Sequence, residues 1–134
     1  MLAGTRQDNS PKFIVYHDSS ACSGCKISHL EDLRGLFKLA DSLATFKVMV
    51  IFSPAQEEYD NVRDAIAVRE FDFPVYLDGS ASFRHANKAI PDDGRFHAFL
   101  IDGNGRPRFV GNPVAGEDMR NLFLKALARA LQEE

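Results

Sequence analysis

A chain of 134 residues, 45% of them hydrophobic, is long enough to bury one core of its own. A formal net charge of -3, with Lys and Arg scattered rather than clustered, argues against a nucleic-acid partner. No apolar run approaches the roughly 18 residues that span a bilayer, and two cysteines are too few for a stabilising disulfide framework.

Met1 to Pro11 is polar and irregular, and reads as a flexible tail with no apolar signal-peptide core. Residues 12–134 read as a single domain. Phe13 to Tyr16 is a short apolar run, suited to a buried strand. Ile27, Leu30, Leu33, Phe37 and Ala40 then recur at helical spacing, predicting one amphipathic helix that ends near Asp41 to Thr45. Phe46 to Phe52 predicts a second buried strand. Ser53, Pro54 and Gln56 form a helix-start pattern, with Ser53 as the cap and Tyr59, Val62 and Ile66 as the inner face.

Pro74 to Leu77 predicts a short strand, closed by Asp78-Gly79. Ser80 to Lys88 follows as a brief helix and Ala89 to Arg95 as a loop. His97 to Ile101 and Arg106 to Val110 flank Asp102-Gly103-Asn104-Gly105, a dense turn signal that predicts a β-hairpin. After Gly111-Asn112-Pro113, a last amphipathic helix is marked by Met119, Leu122, Phe123, Ala126, Leu127, Ala130 and Leu131. An early strand–helix–strand implies parallel strands, and the closing hairpin adds an antiparallel edge. The economical packing is an α/β mixed central sheet with helices on both faces.

The chemistry concentrates in Cys22-Ser23-Gly24-Cys25, placed directly after the first strand. A disulfide closing so short a loop adds little stability, so a structural bridge is a weak explanation. Exchange chemistry needs an attacking thiolate and a second thiol that resolves the mixed disulfide. A helix N-terminus stabilises a thiolate, bringing such cysteines to pKa values of roughly 3.5–7.5. Cys22, at the junction, is expected to attack, and Cys25, one turn on, to resolve. Lys26 adds charge nearby but reads as a solvated surface residue.

Two other uses stay open. His17-x4-Cys22-x2-Cys25-x3-His29 brings four borderline or soft ligands into one span, so zinc or copper binding is an alternative. Vestigial cysteines in an interaction domain are another. His97 reads as a packed or surface residue that also stands close to the rim. His85 has no special role, and Asp92-Asp93 is a solvated loop pair. The high Phe content, 11 residues, is explained by core packing except at Phe96.

The cysteine motif after a strand, with this element order, resembles the thioredoxin-like superfamily. The nearer resemblance is to TlpA-like and ResA-like thiol-disulfide oxidoreductases of the bacterial envelope. Those proteins carry an extra strand–helix insertion, which the stretch from Phe73 to Lys88 is similar to, and a penultimate hairpin like Phe99 to Gly105. Two positions depart from the pattern. Ala21 stands where thioredoxins have Trp, and Phe96 where they have a cis-proline. A cis bond at a non-proline costs about 2.5–4 kcal/mol, so Phe96 is expected to be trans. The loss of proline affects both partner docking and the exclusion of metal.

The resemblance implies a redox-active Cys22–Cys25 pair with no cofactor and no resident metal. It implies Ala21, Phe96 and His97 as substrate-binding residues at the rim. The partners expected are protein or peptide disulfide substrates and a second redox protein. It further implies a monomer in the periplasm or cell envelope, with an export signal absent from this chain.

Overall fold

The computed structural model describes residues 9–18, 27, 29–79, 83, 87, 90 and 97–132. Its centre is a five-stranded sheet: β1 (Lys12–His17), β2 (Lys47–Phe52), β3 (Val75–Leu77), β4 (Ala98–Ile101) and β5 (Pro107–Val110), in spatial order β3-β2-β1-β4-β5. β1 pairs parallel with β2 and antiparallel with β4. β2 and β3 are parallel, and β4 and β5 antiparallel. The helices are α1 (Arg34–Leu43), α2 (Tyr59–Arg69) and α3 (Glu117–Gln132), with 3-10 turns before α1, α2 and α3.

β1 is apolar throughout its middle because both of its faces are covered. Phe13 and Val15 join a large cluster with Val48, Val50, Phe52 and Leu100. Leu36 and Ala40 of α1, Val62 of α2, and Phe123 and Leu127 of α3 close over that face. Phe123 is its hub, with Phe13, Phe46 and Phe109 set edge-on at ring separations of 5.5, 5.3 and 5.8 Å. Ile14 and Tyr16 point the other way, into a smaller cluster with Ile51, Ile90, Phe99 and Ile101. Both crossovers, β1–α1–β2 and β2–α2–β3, lie on one face, as two right-handed crossovers in one direction require.

The mixed sheet and the hairpin match the sequence expectation. The hairpin is held by Asp102, whose Oδ1 accepts the N–H groups of Asn104 at 2.9 Å and Arg106 at 3.0 Å. Gly111 stands at φ +145°, in the left-handed half of backbone space, and a Cβ there would meet the end of the Met119 side chain. Only glycine lets the chain leave β5 at that point.

Several expectations differ from the structure. Ser53 does not cap a helix: Ala55 precedes the 3-10 turn and Glu58 precedes α2, both without a side-chain cap. The single helix from the cysteines is interrupted. Ile27 is helical, His29 lies in a turn, Leu30–Leu33 is a 3-10 turn, and α-helix begins only at Arg34. On α1 Leu36 fills the core, while Phe37 stacks at its edge on Phe73. Leu122 is 53% exposed rather than on the inner face of α3. The second face is covered from the connection between β3 and β4. Among the described residues that cover consists of Phe83, which is helical, and Ile90. Asn87, also within the expected Ser80–Lys88 helix, is not helical; the other residues of that stretch, and most of the loop after it, lie outside the described residues.

Phe123→Ala removes the hub of the larger cluster and is expected to destabilise the chain by about 3–5 kcal/mol, read from urea or guanidinium unfolding. Ala44 ends α1 in the left-handed region at φ 55°. Ala44→Gly relieves that conformation and is expected to stabilise by roughly 1 kcal/mol in the same measurement.

Candidate functional site

The parallel register aligns the ends of three strands. His17 is level with Phe52, and Phe52 with Leu77. The ladder continues one residue further on each: Ser53 N–H donates to the His17 carbonyl at 2.8 Å, and Asp78 N–H to the Phe52 carbonyl at 2.7 Å. On the other side Tyr16 N–H donates to the His97 carbonyl at 2.8 Å. The point at which β1 leaves the sheet is therefore fixed by both neighbours. Cys22 follows five residues after His17.

Side chains reinforce this end. The buried Tyr16 ring lies between Phe83, at 5.1 Å, and the His97 ring, edge-on at 5.2 Å. The His17 ring leans on Phe52 at 4.6 Å. Below them, the buried Ser53 hydroxyl donates to Asp78 Oδ2 at 2.7 Å, and the same oxygen accepts Phe83 N–H at 2.7 Å. Asn87 Nδ2 donates to the Phe83 carbonyl at 2.8 Å, and Ile90 N–H to the Asn87 carbonyl at 3.1 Å. Asp78 thus joins β2, β3 and the connection that covers the smaller cluster.

The returning end is anchored by packing. Ile27 and Leu30 are 2% and 1% exposed, both within the larger cluster. The chain positions on either side of 19–26 are thus a hydrogen-bonded strand end and two buried aliphatic side chains. Cys22, Cys25, Ala21 and Phe96 themselves lie outside the described residues. α1 begins nine residues beyond Cys25, so its dipole acts first on the 3-10 turn, where Glu31 and Asp32 stand. Arg34 bonds Glu31 and Asp72. Its pKa is raised chiefly by the hydrogen bond to Glu31.

His97 is 5% exposed, packed on Tyr16. His29 is largely exposed and sits 3.5 Å from Asp32. Among the described residues no group of three His, Cys, Asp or Glu side chains is placed to hold a metal. No helix among them is long and apolar enough to cross a membrane. The Ser53–Asp78 bond was hidden in the sequence by a helix-start pattern. Its available signal was two small polar residues, each directly following a strand.

No protein-family model matches the chain, and no curated protein does. Solved structures do. A protein assigned as the thiol:disulfide interchange protein DsbE of Chlorobium tepidum aligns with a TM-score of 0.59 at 15% identity, over 90% of this chain and 82% of that one. A thioredoxin-family thiol:disulfide interchange protein of the same organism gives 0.56 at 19%, over 89% and 81%. Peroxiredoxin Q of Xanthomonas campestris gives 0.57 at 18%, over 92% and 82%. With these neighbours, the α/β sheet is a thioredoxin-like fold.

Asp78→Ala removes the acceptor shared by Ser53 and Phe83 and is expected to cost about 1–3 kcal/mol in equilibrium unfolding. In a double-mutant cycle, Ser53→Ala and Asp78→Ala are expected to be non-additive by at least about 0.5 kcal/mol. Strict additivity would show that the two side chains do not act together.

Proposed function

We propose that the protein is a thiol-disulfide oxidoreductase in which Cys22 attacks and Cys25 resolves. The observation that carries this reading is the position of the motif. The central parallel strand of a thioredoxin-like sheet stops five residues before Cys22. Both ends of the intervening segment are fixed, by the strand ladder and by Ile27 and Leu30. Two thiols three residues apart in so short a segment can be oxidised and reduced with little movement elsewhere.

In the reducing direction, the Cys22 thiolate attacks one sulfur of a substrate disulfide. A Cys22–substrate disulfide forms, and the other substrate sulfur leaves as a thiolate and takes a proton. Cys25, deprotonated, then attacks the Cys22 sulfur and expels the second substrate thiolate. Two electrons have passed to the substrate, and Cys22–Cys25 is a disulfide. A dithiol redox protein resets the pair by the same exchange. Run backwards, the sequence oxidises a substrate dithiol.

The substrates in this reading are disulfide-bearing proteins or peptides. Ala21 and Phe96 supply the contact surface beside Cys22. His97, buried on Tyr16, supports that surface by holding the chain that follows Phe96. The protein acts as a monomer in the periplasm or cell envelope, a compartment in which protein disulfides persist. The neighbours' names as thiol:disulfide interchange proteins are in keeping with this chemistry.

Cys22→Ser is expected to reduce disulfide exchange with an insulin-type substrate to background. Cys25→Ser is expected to accumulate a mixed disulfide between Cys22 and the substrate, detected as an adduct by mass spectrometry. Exchange that survives in both variants would sink this assignment.

A further inference from the structure

The turn between β4 and β5 holds a chemically reactive pair. Asn104-Gly105 is the one place in the sequence where glycine directly follows asparagine. Glycine has no Cβ to shield its backbone nitrogen, so that nitrogen can come close to the preceding carboxamide. Attack by the deprotonated Gly105 nitrogen on Asn104 Cγ forms an N–Cγ bond, breaks the Cγ–Nδ2 bond and releases ammonia. Water then opens the resulting cyclic imide at either carbonyl, leaving aspartate or isoaspartate. The balance is one water consumed and one ammonia released, with no oxidant or cofactor.

The geometry leaves the electrophile free and restrains the nucleophile. Asn104 is exposed, and its carboxamide makes no hydrogen bond among the described residues. Gly105 N–H, in contrast, donates to the Asp102 carbonyl at 3.0 Å, and Asp102 N–H to the Arg106 carbonyl at 2.9 Å. Gly105 stands at φ 81°, the left-handed residue that closes a three-residue hairpin loop. Asp102 Oδ1 accepts the N–H groups of Asn104 and Arg106, the residues on either side of Gly105. Asp102 is buried, and its Oδ2 lies 3.4 Å from Arg108 Nη1. While these bonds last, the Gly105 N–H is aimed at the Asp102 carbonyl and not at Asn104 Cγ.

We infer that Asn104 is a succinimide-forming modification site, kept closed by Asp102 in the folded hairpin and released when the hairpin opens. The isoaspartate product adds one carbon to the main chain between Asn104 and Gly105. That extra atom shifts Gly105 and Arg106 away from their acceptors on Asp102, so the loop is not restored. β5 follows directly and brings Phe109 edge-on to Phe123. A chain left open is thereby marked at one turn and hindered from closing again. The inference is independent of the redox reading.

The full chain is incubated in mildly alkaline buffer, both folded and unfolded in urea. Asn104 is followed by peptide mass spectrometry and by enzymatic methylation of isoaspartyl carboxyl groups. Deamidation there is expected to be at least about tenfold slower in the folded chain, because it tracks the open fraction. Asp102→Ala, checked for a cooperative unfolding transition, is expected to raise the folded-state rate about threefold or more. If that variant does not fold, the parent chain in urea below its transition decides. There the Asn104 rate is expected to rise in step with hydrogen exchange at the Gly105 amide. Equal rates in the folded and unfolded parent, a folded Asp102→Ala chain with the parent's rate, or an Asn104 rate unrelated to Gly105 exchange would each overturn the inference. Purified isoaspartyl chains are expected to melt below an Asn104→Asp chain, which carries the same charge without the extra carbon. Equal melting temperatures would overturn the claim that the product spoils the loop.

Discussion

The structure depends on the double pairing of β1. β2 lies parallel on one side and β4 antiparallel on the other, so the backbone of β1 is paired along both edges. Its side chains divide between two cores, with Phe13 and Val15 on one face and Ile14 and Tyr16 on the other. A one-residue slip would exchange these sets and place Tyr16 among the helices. The strand's register therefore fixes the packing of both faces. It also fixes where the chain leaves the sheet, because the His17 carbonyl and the Tyr16 N–H are still held at that point.

The two faces are held by different forces. The larger cluster is stabilised by area, through three helices and the edge-on aromatic contacts of Phe123. The smaller one relies more on directional bonds, since Asp78 carries both Ser53 and Phe83. A polar tie of this kind fails through an unsatisfied buried group when one partner is lost, whereas the apolar cluster fails through the cavity that a deletion leaves. Asp78 follows β3, the strand that extends the sheet beyond β2. Besides widening the sheet, that strand delivers the carboxylate that fastens the cover over Tyr16.

What the sequence made legible, and what it hid, follows from the range of the interactions. The strands around Ile14 and Val50 are runs of buried apolar residues, and the hairpin has a dense turn signal. Each is a local pattern. Ser53 obeyed a local pattern as well, but a carboxylate 25 residues away offered its hydroxyl a buried partner. The choice between Leu36 and Phe37 could not be made from helical spacing, because the two are adjacent on a broad apolar face. Phe73 settles it by stacking on Phe37 at 4.4 Å, and Phe73 lies in a stretch without periodicity. At the site, the Cys22–Cys25 spacing was readable as chemistry. The aromatic bracket of Tyr16 was not, since Phe83 and His97 come from distant parts of the chain.

The same bracket bears on the position where the sequence resemblance implies a proline and this chain carries Phe96. A proline fixes its own φ and has no N–H, so it shapes the neighbouring chain from within. Phe96 brings neither constraint. Immediately after it, however, His97 is clamped by its carbonyl bond to Tyr16 N–H and by its ring against the Tyr16 ring. The chain's path from His97 onward is thus fixed by contacts outside it. The cost is that the path now depends on Tyr16, the residue six before Cys22. Anything that shifts the end of β1 shifts the strand that follows Phe96 as well. The end of β1 and the start of the chain into β4 are thereby governed by one pair of contacts.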